Sequence, residues 1–226
     1  MEVLLVDAHL VVVNKPSGLL VHRGWANDDD VAMFRVRDML GAHVYPVHRL
    51  DRGTSGVLVF ARTRQAAATL TASFESREVD KRYLALVRGE PAASGTIDHP
   101  IPRSVETGAG APRVPAVTHY RLVARSTVDR CSLVLAIPET GRVHQVRRHL
   151  RHLGHPLVGD VNYGRGEINR RYRSEYGLHR LALHALSIAF AHPVTRAPIM
   201  VTAPMPDDLG LPLQRLALPR SVSFEG

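Results

Sequence analysis

Short apolar runs closed by turn residues recur along this 226-residue chain, and they outnumber the stretches with helical periodicity. Residues 3–6 and 10–14 predict two strands joined by Asp7-Ala8-His9, and Pro16-Ser17-Gly18 predicts a turn. The unbroken run 57–61 predicts a buried strand; 82–87 alternates and ends at Gly89. Residues 117–124, 133–137, 181–190 and 199–202 complete the strands. Three segments carry helical signals. Residues 31–40 stop at Gly41, and 143–153 close at Gly154. Thr63 caps a helix running to about residue 77, with Ala66, Leu70 and Phe74 on one face. Strands clustered in runs predict an α+β fold: a central, mixed, mostly antiparallel sheet with helices packed on it.

Residues 91–115, rich in Pro, Gly, Ala and Ser, predict a long irregular connection, with 102–115 as a mobile loop. The tail 208–226 is expected at the periphery. With no internal repeat and no low-complexity tract, 1–226 reads as one domain. Hydrophobic residues make up 45%, which allows a sizeable core and excludes global disorder. Cys131 is the only cysteine, so no internal disulfide can form; inside an apolar stretch it reads as a buried structural thiol. A reducing, cytoplasmic location is expected. No stretch has the apolar length to span a bilayer, and the first residues read as mature protein rather than a signal peptide.

The formal net charge is +8, and all but Lys15 and Lys81 of the 29 basic residues are arginines. Arginine is the better fork for phosphates, so a polyanionic partner is expected. Arg142, Arg147, Arg148 and Arg151 fall within one predicted helix and its start. On a helical plot Val143, Val146, Leu150 and Leu153 share an apolar stripe, with His144, Arg147, Arg148 and Arg151 beside it. Arg147 lies nearest the apolar edge, where it can be half buried and aimed at a site; the outer arginines can meet phosphates. On charge alone, a solvated basic face is the ordinary alternative. His144, His149, His152 and His155 suggest a metal, but no HExxH pattern or helically spaced carboxylate accompanies them, and the arginines would repel a cation. No metal site is expected. HRLD superficially resembles a kinase catalytic loop, yet the Asn spacing, the Gly-rich loop and DFG are all missing, as are Walker and GxSxG motifs.

Residues 48–62 read HRLDRGTSGVLVFAR, with Asp51 between Arg49 and Arg52 just before a core strand. Such an Asp is either a turn residue or a carboxylate kept ionised by a guanidinium and available as a nucleophile. Tyr83 shares one face of its strand with Ala85, either as a neighbour of that carboxylate or as ordinary core packing with its hydroxyl at the surface.

HRLDRGTSGVLVFAR, KRYLALVRG (81–89), GRVHQVRRHLRHLGHPLVGDVNYG (141–164) and NKPSGLLVH (14–22) together resemble the RluA-type pseudouridine synthases. Four motifs in order cover nearly the whole chain. VHRGW, PAVTHYR, VRRHL and GLHRLALHA are most similar to the branch that acts on uridine 65 of tRNA. The resemblance implies the pseudouridine synthase fold, a sheet in two halves around a basic cleft, and conversion of uridine in RNA to pseudouridine with no cofactor and no metal. It implies that Asp51 is the catalytic aspartate, Tyr83 the active-site tyrosine and Arg147 the arginine paired with the aspartate. Arg49 would enter the stack vacated by the flipped base, which costs a few kcal/mol to extract. Arg52, Arg142, His144, Arg148 and Arg151 are the remaining RNA-binding candidates. Val143 and Val146 depart from the family pattern, and the 102–115 loop and the tail are short for the tRNA branch.

No separate RNA-binding domain is expected ahead of the catalytic part, so target choice falls to its own surface. Trp25 and the run 27–30 belong to a loop there, with a solvated turn as the plain alternative. The expected partner is RNA, tRNA first, with no membrane, and the expected state is a monomer. Two other readings stay open: the same chemistry on ribosomal RNA, and a catalytically silent RNA-binding module. Aromatics at 5% argue against a single-strand stacking platform, and no recognition helix for DNA is evident.

Overall fold

The structure, a computed structural model, describes residues 1–23, 28–103 and 112–222. Trp25, and residues 104–111 of the loop expected to be mobile, lie outside the described residues. In chain order the elements are β1 (Glu2–Val6), β2 (Leu10–Lys15), α1 (Ala32–Leu40), β3 (Tyr45–Pro46), β4 (Ser55–Ala61), α2 (Arg64–Glu75), β5 (Asp80–Arg88) and β6 (Ser94–Asp98). There follow β7 (Ile101–Pro102), β8 (Arg113–Val114), β9 (Val117–Arg125), β10 (Cys131–Pro138), α3 (Gln145–His152), α4 (Gly166–Tyr176), β11 (Leu183–Ala191), β12 (Pro198–Thr202) and α5 (Asp207–Arg215). The chain, expected as one domain, divides into two compact units: Met1–Lys81 with His184–Pro204, and Arg82–Leu183 with Met205–Gly226. Each is α+β.

In the first unit β2 pairs antiparallel with β1 and β4, β3 pairs antiparallel with β4, and β12 with β11. Strands β4 and β11 run parallel, with Ser55 opposite His184 and Gly56 opposite Ala185. Gly56 has φ +112°, and a Cβ there would lie 2.1 Å from the Ala185 carbonyl oxygen, so only glycine fits this junction. Leu10, Val12, Val57 and Val59 share one core with Ala66 and Leu70 of α2. Their neighbours Val11, Val13, Leu58 and Phe60 are also fully buried, so β2 and β4 are covered on both faces and need an unbroken apolar run. Thr63 caps α2 as expected, its hydroxyl accepting the Ala66 N–H at 3.1 Å. The helix ends at Glu75 rather than residue 77, because Arg77 adopts a left-handed φ of 65°.

In the second unit β10 lies between β5 and β9, and β6 pairs with β9, all antiparallel. Ala85, Val87, Val134, Val146, Leu150 and Leu157 form its core, with Tyr83 packed against them. The connection expected to be irregular contains β6 and the β7–β8 pair. In β6 only Ile97 is buried, which leaves the sequence no alternation to show. Helix α3 starts at Gln145, two residues later than expected, because His144 takes a left-handed φ of 55°. Its apolar stripe narrows to Val146 and Leu150; Leu153 is exposed and Val143 half-buried. The tail is not peripheral. Asp207 and Asp208 occupy the first turn of α5, where acidic groups favour the helix dipole. The helix buries Leu209 and Leu213, and Leu216 and Leu218 follow it into the core. Asp208 is bound by Arg180 at 2.8 Å, and the Ser126 hydroxyl donates to the Leu216 carbonyl at 2.6 Å.

Candidate active site

Asp51 opens a tight turn in which the Thr54 N–H donates to the Asp51 carbonyl at 3.0 Å. The residue is half-buried. The turn is clamped against residues 16–19. The Gly18 N–H donates to the Arg52 carbonyl at 2.8 Å, and the Ser17 hydroxyl to the Gly53 carbonyl at 2.8 Å. Arg52 returns a bond from Nε to the Gly18 carbonyl at 3.0 Å. Beneath them Lys15 is fully buried, its ammonium donating to the carbonyls of Pro16 and Leu19 at 2.8 Å and of Arg52 at 3.3 Å. A buried ammonium is tolerated when backbone carbonyls replace its water. Lys15 is therefore part of the turn's foundation, and the NKPSG segment is a brace for the HRLDRG segment.

His48 completes that brace. Its Nε2 accepts the Val59 N–H at 2.9 Å, and its ring stacks on Phe74 at 4.6 Å. An acceptor at Nε2 requires the neutral ring. Desolvation, with the Lys81 charge nearby, pushes the imidazole down to about 3. The histidine that reads as one more cation in HRLDR is thus an uncharged strap holding the turn to β4. Of the flanking arginines, Arg52 is an exposed side chain spent partly on Asp28 at 2.8 Å. Arg49 is exposed, with no ion pair among the described residues.

In the second unit, Arg147 is buried on α3 and grips Asp160 with two parallel bonds, Nε to Oδ2 at 2.7 Å and Nη2 to Oδ1 at 2.8 Å. Asp160 Oδ1 also accepts the N–H groups of Asn162 and Tyr163 at 2.9 and 3.0 Å. Burial would raise this carboxyl, but Arg147 and the two N–H groups outweigh it and hold it below the usual carboxylate range. Gly159, at φ +76°, lets the chain pass the Arg180 carbonyl, which a Cβ would meet at 1.9 Å. The grip uses two of the guanidinium's five donors and fixes the plane of the fork. Tyr163 organises the rest. Its ring is faced by the guanidinium carbons of Arg147, Arg148 and Arg151 at 5.1, 5.7 and 5.8 Å. Its hydroxyl accepts from Arg148 Nε at 2.8 Å and lies 3.0 Å from His144 Nδ1.

The start of α3 is fixed by a residue the sequence reading passed over. Gln145 accepts from the Thr140 hydroxyl and the Arg142 N–H, and donates to Val117 and Thr118 of β9. Tyr83, on β5 opposite Ala136, shares its face with Ala85 and Val87 and packs on the core that includes Val146 of α3. Asp51, Arg49 and Arg52 thus belong to the first unit; Tyr83, Arg142, His144, Arg147, Arg148 and Arg151 belong to the second. Arg148 is half-buried, and besides Tyr163 it binds the Pro102 carbonyl at 2.7 Å, a structural commitment not expected of an outer phosphate contact. Arg142 and Arg151 are exposed. Asp160, Tyr163 and Gln145 lie within or beside the motifs, and only their side-chain partners reveal their roles.

The histidines are structural. His149 is fully buried between the Thr118 hydroxyl and the His99 carbonyl, both at 2.9 Å, and burial lowers its pKa. His152 stacks on His99 at 3.7 Å, and His155 Nδ1 donates to the Arg88 carbonyl at 2.8 Å. No group of His, Cys, Asp and Glu among the described residues is arranged to hold a metal ion. Cys131 is buried, and burial pushes its thiol up. No described helix is long and apolar enough to cross a membrane.

Residues 9–152 match the family described as RNA pseudouridylate synthase. Among curated proteins, the tRNA pseudouridine synthase C of Pasteurella multocida (strain Pm70) is 42% identical over 221 residues, covering 90% of each chain. That of Vibrio cholerae serotype O1 is 39% identical over 221 residues, again covering 90% of each. Among solved structures, human RNA Pseudouridylate Synthase Domain Containing 4 superposes with a TM-score of 0.78 at 28% identity, covering 96% of this chain and 94% of that one.

Proposed function

The chain belongs to the RNA pseudouridylate synthase family, isomerases that turn uridine in RNA into pseudouridine, and from that membership we propose that its substrate is tRNA, at uridine 65. The observation that carries the choice of RNA is the identity, near 40% along 90% of the chain, to proteins named tRNA pseudouridine synthase C. Asp51 is the catalytic carboxylate of this proposal. The reaction breaks the bond from C1′ to N1, turns the uracil, and joins C1′ to C5; the C5 proton leaves and N1 ends protonated. Attack on C1′ and assistance to elimination both ask for an ionised carboxylate close to a sugar that gains oxocarbenium character. The multiply braced turn under Asp51 supports this role, since a carboxylate acting on a sugar carbon must be held to within a fraction of an ångström. Tyr83 is the ring set against the extruded base, and Arg147 the guanidinium that keeps the catalytic carboxylate charged. Exposed Arg49 is suited to filling the vacated stack.

The test uses unmodified tRNA and ribosomal RNA transcripts, incubated with the parent protein and with Asp51→Asn. Pseudouridine is mapped by carbodiimide adducts and primer extension. A parent-only stop at tRNA position 65 is the expected result. A stop in ribosomal RNA alone would move the substrate and keep the chemistry. Tight RNA binding with no Asp51-dependent stop would leave a silent RNA-binding protein.

A further inference from the structure

A cleft of about 640 Å³ lies wholly within the second unit, and none of Asp51, Tyr83 and Arg147 lines it. It is bounded by the end of β5, the turn at 129–130, the outer side of α3 and the loop from Tyr163 into α4. Five arginines line it, Arg88, Arg130, Arg151, Arg165 and Arg171, against two carboxylates, Glu90 and Asp129. Both carboxylates are engaged. Asp129 binds Arg171 at 2.5 Å, and Glu90 sits 3.8 Å from Arg130. Arg88, Arg151 and Arg165 have no ion-pair partner among the described residues. Three uncompensated guanidinium groups converging on one concavity repel one another, and a cleft concentrates their field. Ligand pockets of this volume are ordinarily lined by apolar side chains. This one is built for anions.

Its position says which anion. Tyr163 lines the cleft and carries Arg151 on its ring, and the same ring carries Arg147. A chain lying in the cleft therefore ends one side chain away from the buried arginine. The volume exceeds what one phosphate group fills, and the arginines stand on three separate elements, so the matching ligand repeats its charge along its length. We infer that this cleft binds the phosphodiester backbone of the substrate RNA beside the target nucleotide, with Arg88, Arg151 and Arg165 as phosphate ligands. The inference rests on the RNA-modifying reading above and extends it to how the RNA is held.

The experiment measures the affinity of an unmodified tRNA transcript over a salt series for the parent and for Arg88→Gln/Arg165→Gln. Each lost phosphate contact flattens the slope of log affinity against log salt by roughly one unit. The double variant should bind about tenfold more weakly at physiological salt, with a slope shallower by roughly two units. Arg88→Lys/Arg165→Lys, which keeps the charges, should hold the parent slope. Should the Gln pair lower the melting midpoint, the single Arg165→Glu change at an exposed position replaces it and should flatten the slope as well. A slope equal to the parent's overturns the inference. So does a variant that loses only protection by inorganic phosphate, which would mark a site for a small phosphorylated molecule. An Asp51→Asn protein that still converts uridine would sink the catalytic reading while leaving the slope comparison intact.

Discussion

Replacing Asp160 by Asn keeps the shape of the side chain and deletes the charge that Arg147 grips. Both partners are buried, with side-chain exposures of 0% and 7%. Leaving one member of a buried pair uncompensated costs about 3–5 kcal/mol. We predict that Asp160→Asn lowers the unfolding free energy by about that amount in a denaturant titration. Its single-turnover rate should fall about 10²-fold, since a loosened fork misplaces Arg147 by about an ångström. Its RNA affinity should change far less; equal losses in rate and affinity would mean Asp160 is merely structural. The segments that carry Asp51, Tyr83 and Arg147 were legible as motifs, and the roles given to these residues are proposals. The partnership of Asp160 was not legible, although it stands in the same segment as Arg147. A Gly-Asp pair before Val-Asn reads as a turn, and its partner lies 13 residues away. The role of His48 is hidden for a related reason: its company in sequence is cationic, while its company in space is Phe74 and a backbone N–H.

At the scale of the elements, the junction of β4 and β11 depends on an absent side chain. Gly56→Ala would drive a methyl group into the Ala185 carbonyl at a φ that alanine avoids. Thr63→Ala removes only the α2 cap, a loss of about 1 kcal/mol. Thermal unfolding of the two variants should rank them clearly, Gly56→Ala far below Thr63→Ala; equal midpoints would mean that the junction relaxes around the added carbon. Strand β4 was readable because burial on both faces writes itself as a continuous apolar run. Helix α4 was not. Only Tyr172 of its 11 residues is buried, so no stripe marks it and its arginines read as loop charge. The fold class survived these omissions because it rests on the strands.

For the whole molecule, the last residues matter more than their composition suggests. Leu209, Leu213, Leu216 and Leu218 are buried, which is worth roughly 6–12 kcal/mol at about 1.5–3 kcal/mol each. That rivals the total stability of a typical domain, roughly 5–15 kcal/mol. A chain ended at Pro204 should therefore be insoluble or lack a cooperative melt; a soluble product with the parent's midpoint would refute this. The two units also interleave along the chain, and the ribosome delivers them in that order. Strand β4 ends at Ala61, and its parallel partner begins at Leu183. At roughly 5–20 residues per second, the first unit waits roughly 6–24 s for that strand while the second is being made. For those seconds the nascent first unit presents an apolar strand whose edge at Ser55 and Gly56 still lacks its partner, and this is the interval in which a chaperone has something to hold.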